Sequence, residues 1–359
     1  MSGGEIVRRV AAQFEIGAEI RECAPLQVGH INETSVVGTD DRRFLLQRIN
    51  RQIFPDIAGL MENVQRVTEH LRANGVPTLD LVPALSGEWF HRDMESADCW
   101  RMYRFVEDAT SFGVARSAGQ AQQAASAFGQ FTGGLTDLPA PRLHEILPGF
   151  HDTPKRFADF LEAVESDDRN RASTAGDEIE AAMSGSGWMG AIAAAQASGA
   201  VPERIAHNDA KIENVLFDRA GETAVCVVDL DTVMPGSLLH DFGDLVRSAA
   251  ATAGEEERDP QQVDVSMEMF AALARGFVAS CGAQMVAAER QLLAIAGKII
   301  TYEQSLRFLT DYLNGDPYYR IRYPEQNLDR ARNQLRLVAC LEEREEALVG
   351  LCERELEKV

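Results

Sequence analysis

The chain has 359 residues, 45% hydrophobic and 25% charged, an ordinary globular balance long enough for two structural units. Its formal net charge of −21 repels phosphate backbones, so nucleic acid is not an expected partner. No apolar run approaches a membrane span, and residues 1–9 are polar with no apolar segment behind them, so neither a membrane nor a secretory leader is expected.

The six cysteines (Cys23, Cys99, Cys226, Cys281, Cys340, Cys352) are scattered without a Cys-x-x-Cys pair. They read as small core residues in a reducing, cytoplasmic compartment. Residues 5–20 alternate charged and apolar side chains at helical spacing, which predicts a short amphipathic helix. Residues 25–37 read as a hairpin with Gly29 at its tip, 39–42 as a turn and 44–49 as the next strand. A turn between two strands can lie over a nucleotide and offer backbone N–H groups to phosphate oxygens. Gly29 is the candidate cover, with Asn32 and Thr34 beside it.

Leu60, Val64, Val67 and Leu71 recur at helical spacing, and Asn74-Gly75 before Val76-Pro77 ends that helix. Its Glu62 and Glu69 read as a solvated face, either being able to meet a cation on the preceding strand. Strand-like pieces follow over 79–84, 87–91 and 99–105, and residues 105–108 form a connector. From Ala118 the pattern is helical, over 118–134, 155–166, 267–279, 285–313 and 328–355, with a polar stretch over 166–187. The expected architecture is α+β, with a small β-rich unit over 1–107 and a large helical unit over 108–359.

The chemistry concentrates in His207-Asn208-Asp209-Ala210-Lys211-Ile212-Glu213-Asn214 and in the apolar run 224–228 that ends in Asp229-Leu230-Asp231. A polar loop supplies a carboxylate and, five residues on, an amide; a short strand then delivers a second carboxylate at its end. Phosphoryl transfer from ATP uses such a set: one carboxylate takes the acceptor's proton while the amide and the other carboxylate hold magnesium on the phosphates. The protein-kinase catalytic loop has the same Asp-x-x-x-x-Asn spacing. A metal ligand belongs at the rim of a packed element, where Asp229 falls.

Other motifs lack their context. Gly185-Ser186-Gly187-Trp188-Met189-Gly190 matches a dinucleotide-loop pattern but follows a helical stretch rather than a strand. Asp241-Phe242-Gly243 spells a kinase magnesium motif without a preceding apolar strand, so Asp241 reads as a structural acid that holds the loop or caps a helix. His207 reads as a loop-positioning residue.

The pattern His207-x-Asp209-x4-Asn214 followed by Val228-Asp229-Leu230-Asp231 resembles the aminoglycoside phosphotransferase and choline kinase superfamily. That resemblance implies the protein-kinase-like two-lobed fold. Four longer blocks are similar to N-acetylhexosamine 1-kinases: Phe44-Leu45-Leu46-Gln47-Arg48-Ile49-Asn50, the run from Asp229 to Gly236, His240-Asp241-Phe242-Gly243-Asp244, and the run from Arg307 to Asp316. These enzymes phosphorylate the anomeric hydroxyl of GlcNAc and GalNAc with ATP and magnesium. Carried onto this chain, the resemblance makes Asp209 the acceptor-activating base. Asn214 and Asp229 become magnesium ligands, and Asp231 an auxiliary acid near the metal. Arg307, Tyr318 and Tyr319 are implied for the sugar pocket, with His30 and Arg104 as further cleft residues. A small-molecule sugar and ATP are the implied partners.

One departure stands out. The superfamily carries a strand Lys that touches the ATP phosphates, and the corresponding stretch here reads Leu46-Gln47-Arg48. Lys and Arg are not interchangeable, and Gln is uncharged. Either Arg48 reaches the phosphates, or magnesium and the loop backbone suffice. The competing readings are a kinase of the same fold acting on an amino alcohol or aminoglycoside, and a silent nucleotide-binding scaffold.

Overall fold

The computed structural model of the protein describes residues 3–26 and 31–359. Gly29 and His30 lie outside the described residues. Helix α1 (Gly3–Ala11) ends well before residue 20. The reason is local: beyond Ala11 the buried residues Phe14 and Ile16 alternate with exposed neighbours, a strand period rather than a helical one. Phe14 pairs with Ala84 as an isolated bridge.

Strands β1 (Glu22–Leu26), β2 (Glu33–Gly38) and β3 (Arg43–Arg48) run antiparallel in sequence. Helix α2 (Ile57–Ala73) follows, its first turn capped by Asp56, which accepts from the Gly59 N–H at 3.0 Å. Strands β4 (Leu81–Val82), β5 (His91–Arg92) and β6 (Cys99–Arg104) complete a six-stranded sheet in the order β1-β2-β3-β6-β4, with β5 on β6. Side chains alternate between its faces. Phe44, Leu46, Trp100 and Met102 pack with Val10 and Ala11 of α1 on the outside. Leu45, Gln47, Arg101 and Tyr103 face inward and line a cavity.

Past the connector, β7 (Ala109–Thr110) leads into helices α3 (Ala118–Gly133), α4 (Thr153–Ser166), α5 (Gly176–Ser184) and α6 (Ala191–Ala197). Short strands β8 (Arg204–Ala206), β9 (Val215–Asp218), β10 (Ala224–Val227) and β11 (Met234–Gly236) form two small sheets, β10-β9-β7 and β11-β8. Helices α7 (Leu238–Leu245), α8 (Met267–Cys281), α9 (Ala287–Leu313), α10 (Gln326–Glu343) and α11 (Glu345–Leu356) follow. The expected single helix over 328–355 is thus two. The break falls at Arg344, whose φ of −112° is not helical and whose guanidinium pairs with Asp264 at 2.8 Å.

The main hydrophobic core runs from Leu60 and Val64 of α2 through Phe128 of α3 to Phe242, Phe277 and Leu293. It therefore crosses the connector through α2. Among the described residues no helix is long and apolar enough to cross a membrane.

Candidate active site

The loop 207–214 leaves β8 where Ala206 pairs with Met234 of β11. His207 is buried against the edges of Phe128 and Phe131, at centroid distances of 5.2 and 5.6 Å. Its Nε2 donates to the Val228 carbonyl at 2.9 Å, and its Nδ1 accepts from the Asp209 N–H at 3.3 Å. Asp241, on α7, accepts from the backbone N–H groups of His207 at 2.9 Å and Asn208 at 2.8 Å. Asn208 takes a left-handed φ of 62°, held by its side-chain amide donating to the Thr232 carbonyl at 3.0 Å. Gly236 is required beside it, because a Cβ there would meet the Asn208 Oδ1 at 2.4 Å.

This pinned backbone presents Asp209. Asn214 Nδ2 donates to Asp209 Oδ2 and to the Asp209 carbonyl, each at 2.8 Å. Lys211 Nζ lies 3.3 Å from the same carboxylate. Burial pushes the Asp209 carboxyl up, but Lys211 and the Asn214 hydrogen bond outweigh it and hold the group below the usual carboxylate range. The Val228 N–H donates to the Asn214 carbonyl at 2.9 Å, tying the loop to the end of β10. Asp229 follows in a left-handed turn, φ 61°. Asp209, Asn214 and Asp229 line one cavity of about 650 Å³ beneath the sheet, walled on the apolar side by Leu26, Leu45, Leu79 and Tyr103.

A divalent cation would find oxygen donors here. With its Nδ2 used on Asp209, the Asn214 amide leaves Oδ1 without a hydrogen bond among the described residues. Burial, then the neighbouring Asp231 and Asp209, push the Asp229 carboxyl up to about 6, and Lys211 offsets this only in part. Among the described residues no three His, Cys, Asp or Glu side chains gather as a metal cluster. Magnesium does not need one, since it keeps waters and substrate phosphates in its shell. Asn214 and Asp229 therefore fit the ion. Asp231 does not share this freedom: one oxygen accepts from Arg101 and the other from Asn32 at 2.6 Å.

The sheet wall carries a polar ladder. Thr34, Gln47 and Arg101 are register neighbours across β2, β3 and β6. Gln47 Nε2 donates to Thr34 Oγ1 at 3.3 Å, Arg101 Nε donates to Gln47 Oε1 at 3.0 Å, and the guanidinium ends on Asp231. Burial disfavours the charge on Arg101, but Asp231 more than restores it. Arg48 lies elsewhere. It points to the opposite strand face and pairs with Glu33 and, at 3.2 Å, with Asp98, so it is not in the cavity. Arg104 reaches only the rim beside the connector, where its half-exposed side chain lies 3.7 Å from Asp80. Glu62 pairs with His144 at 2.9 Å and Glu69 accepts from Gln65 at 3.0 Å, so neither meets a strand cation.

A second cavity, about 420 Å³, is lined by Phe150, Arg307, Tyr318 and Tyr319. Arg307 lies over the rings of Phe150 and Tyr319, 5.1 and 5.8 Å from their centroids. Asp311 accepts from the Tyr318 and Tyr319 N–H groups at 2.9 and 3.0 Å and so fixes that segment. Neither Asp209 nor Arg104 lines this cavity. Sequence reasoning missed Lys211, although it stands two residues after Asp209. It also missed Arg101, which becomes visible only once β3 and β6 are in register.

The profile of a family described as the phosphotransferase enzyme family (APH) matches residues 22–275. Among solved structures the chain is similar to an aminoglycoside phosphotransferase from Alicyclobacillus acidocaldarius subsp. acidocaldarius DSM 446, at TM-score 0.62 and 16% identity, covering 98% of this chain and 96% of that one. It is also similar to an amicoumacin kinase, hAmiN, solved with AMP-PNP, Ca2+ and Ami, at TM-score 0.57 and 14% identity over 93% of each chain. A third similar structure is the choline kinase LicA from Streptococcus pneumoniae, at TM-score 0.54 and 12% identity, covering 93% of this chain and 98% of that one. The fold is protein-kinase-like, with a β-sheet N-terminal region and a helical C-terminal part. The chain belongs to the phosphotransferase enzyme family.

Proposed function

We propose that the protein transfers the γ-phosphoryl group of ATP to a hydroxyl of a neutral sugar of the N-acetylhexosamine class. The observation that carries this reading is the Asp209 carboxylate, held by Asn214 at 2.8 Å in a cavity shared with Asp229 and Arg101. In this reading Asp209, kept ionised, accepts the proton of the acceptor hydroxyl as that oxygen bonds to the γ-phosphorus. The bond from phosphorus to the β–γ bridging oxygen breaks, and ADP leaves. Asn214 and Asp229 would hold magnesium, which when bound offsets the charge of the phosphates. Lys211 and Arg101 add fixed positive charge on two sides of the cavity, and the apolar wall under the sheet suits a purine base. Catalysis is then positioning and electrostatics.

The second cavity supports a neutral acceptor over a cationic one. Arg307 lines it, and its two acids are already engaged, Asp311 by two backbone N–H groups and by Asn327 at 2.9 Å, and Asp159 by Lys155 at 2.7 Å. Aromatic rings with hydrogen-bonding side chains suit a sugar face. The anomeric position rests on the likeness of the four sequence blocks to N-acetylhexosamine 1-kinases. Phosphorus NMR of a reaction with GlcNAc, ATP and magnesium tests activity and position together. The expected product is the sugar 1-phosphate with ADP. ATP consumption with an amino alcohol but not with GlcNAc would move the acceptor, and no consumption across a broad acceptor panel would favour a silent scaffold.

A further inference from the structure

His151 precedes α4 and lies behind the loop that carries Asp209. Its ring is almost wholly enclosed, with the side chain 7% exposed, and both of its nitrogens are engaged. Nε2 lies 2.9 Å from the Asn208 carbonyl oxygen, and Nδ1 lies 2.7 Å from Glu303 Oε1 on α9. A carbonyl can only accept, so Nε2 carries a proton. Glu303 Oε2 accepts from Thr153 Oγ1 at 2.7 Å, and against its burial the pairing with His151 holds its carboxyl well below the usual carboxylate range, so the Oε1 that faces Nδ1 is an ionised acceptor too. Two acceptors on one imidazole require a proton on each nitrogen, and thus a cation.

The surrounding charges agree. The groups around the ring are Glu303 and Arg307 on α9, His240 and Asp244 on α7, and Asp209 beyond Asn208. Burial disfavours the His151 charge, but Glu303 holds the ring protonated beyond the ordinary histidine range. His240, 4.7 Å away, is kept neutral, pushed down to about 3 by burial and by His151 itself. Phe150 meets the His151 ring at 4.9 Å and carries Arg307 at 5.1 Å on its face. The ring therefore bridges the second cavity and the Asn208–Asp209 peptide.

We infer that His151, paired with Glu303, is a positioning residue that fixes the Asn208–Asp209 peptide and so aims the Asp209 carboxylate at the acceptor. This inference rests on the phosphotransfer reading above. Asp241 grips the N–H of Asn208 while His151 grips its carbonyl, so the left-handed residue before the base is clamped from both sides. Loss of the Nδ1 proton would set a lone pair against the Glu303 carboxylate and release the clamp at alkaline pH.

The test compares wild type, His151→Gln and His151→Leu with ATP, magnesium and GlcNAc, alongside nitrogen NMR of the histidine rings. His151→Gln keeps a donor without the charge, and His151→Leu removes both. His151→Leu should lower kcat by about 10- to 100-fold with the ATP KM unchanged, since a misaimed base loses rate rather than nucleotide affinity. His151→Gln should recover most of that loss and lack the alkaline limb of the wild-type rate profile. A kcat of His151→Leu equal to wild type, or a Gln variant as slow as the Leu variant, would overturn the assignment. If His151→Leu does not fold, Glu303→Gln should move the alkaline limb to lower pH, and an unmoved limb would overturn it. The ring nitrogens of His151 should both be protonated near neutral pH, and a neutral ring sinks the clamp whatever the enzyme's activity. Were no acceptor turned over while that ring proved cationic, the phosphotransfer reading would fail and the charged clamp would stand.

Discussion

Arg101 and Gln47 face each other across β6 and β3, and the guanidinium Nε donates to the Gln47 side-chain oxygen at 3.0 Å. Where Gln47 leaves the cavity face of the third strand without a cation, the neighbouring strand supplies one. If Arg101 faces the nucleotide phosphates, Arg101→Gln should raise the ATP KM by about tenfold or more and leave the acceptor KM unchanged, as loss of a charged hydrogen bond does. Side chains at such paired positions sit about 5 Å apart, so a lysine at 47 can cover the same ground. The double variant Gln47→Lys with Arg101→Gln should therefore regain part of the ATP affinity. Steady-state kinetics at varied ATP would show it, and an unchanged ATP KM in Arg101→Gln would remove Arg101 from this role.

Asp231 pairs directly with Arg101, the two side chains being 5% and 1% exposed. Removing one partner of a buried pair leaves an uncompensated charge, at a cost of about 3–5 kcal/mol. Asp231→Asn should thus destabilise the fold by that order in chemical denaturation. Adding Arg101→Met should recover much of the loss. A variant of normal stability with weakened magnesium binding would instead make Asp231 a metal ligand.

The placement of the 207–231 stretch was legible because its pattern is local. Asp209, Asn214 and Asp229 stand close in sequence on a loop and an adjacent strand end, and the Val228 N–H bond to the Asn214 carbonyl joins the two on one cavity wall. β3 and α2 were legible for the same reason, through strand alternation and the Leu60–Leu71 period. Arg101 was not legible, because its meaning depends on a register set by strands far apart in sequence. The choice between Gln47 and Arg48, left open by the sequence, turns on alternation: a strand sends the two to opposite faces, and the neighbour with the charge points away from the cavity. Helix α1 was overextended because charge alternation over 5–20 mixes a helical and an extended period. His151 had no signal at all, since its partners Asn208 and Glu303 come from two distant elements.

The His151–Glu303 pair also sets a pH window for stability. Glu303 is buried, yet His151 holds its carboxyl down at about 2. Its contribution is complete above the unfolded carboxyl value of about 4.3 and is lost as pH falls through the folded value. His151 is raised, so its contribution is complete below the unfolded value of about 6.5 and is lost as pH rises through the folded one. Urea denaturation of wild type against the double variant His151→Gln, Glu303→Gln should show the largest difference between those limits and a shrinking one on either side. A difference independent of pH would show that the pair is not ionised in the folded protein.

If Asp209 is the base of the proposed phosphoryl transfer, turnover by the Asp209→Asn variant is the decisive measurement. In this variant kcat should fall by about 10²–10⁴-fold, the scale of a lost general base, while calorimetry should show magnesium–ATP binding close to wild type. Near-normal turnover in the Asn variant, with nucleotide binding intact, would contradict that role.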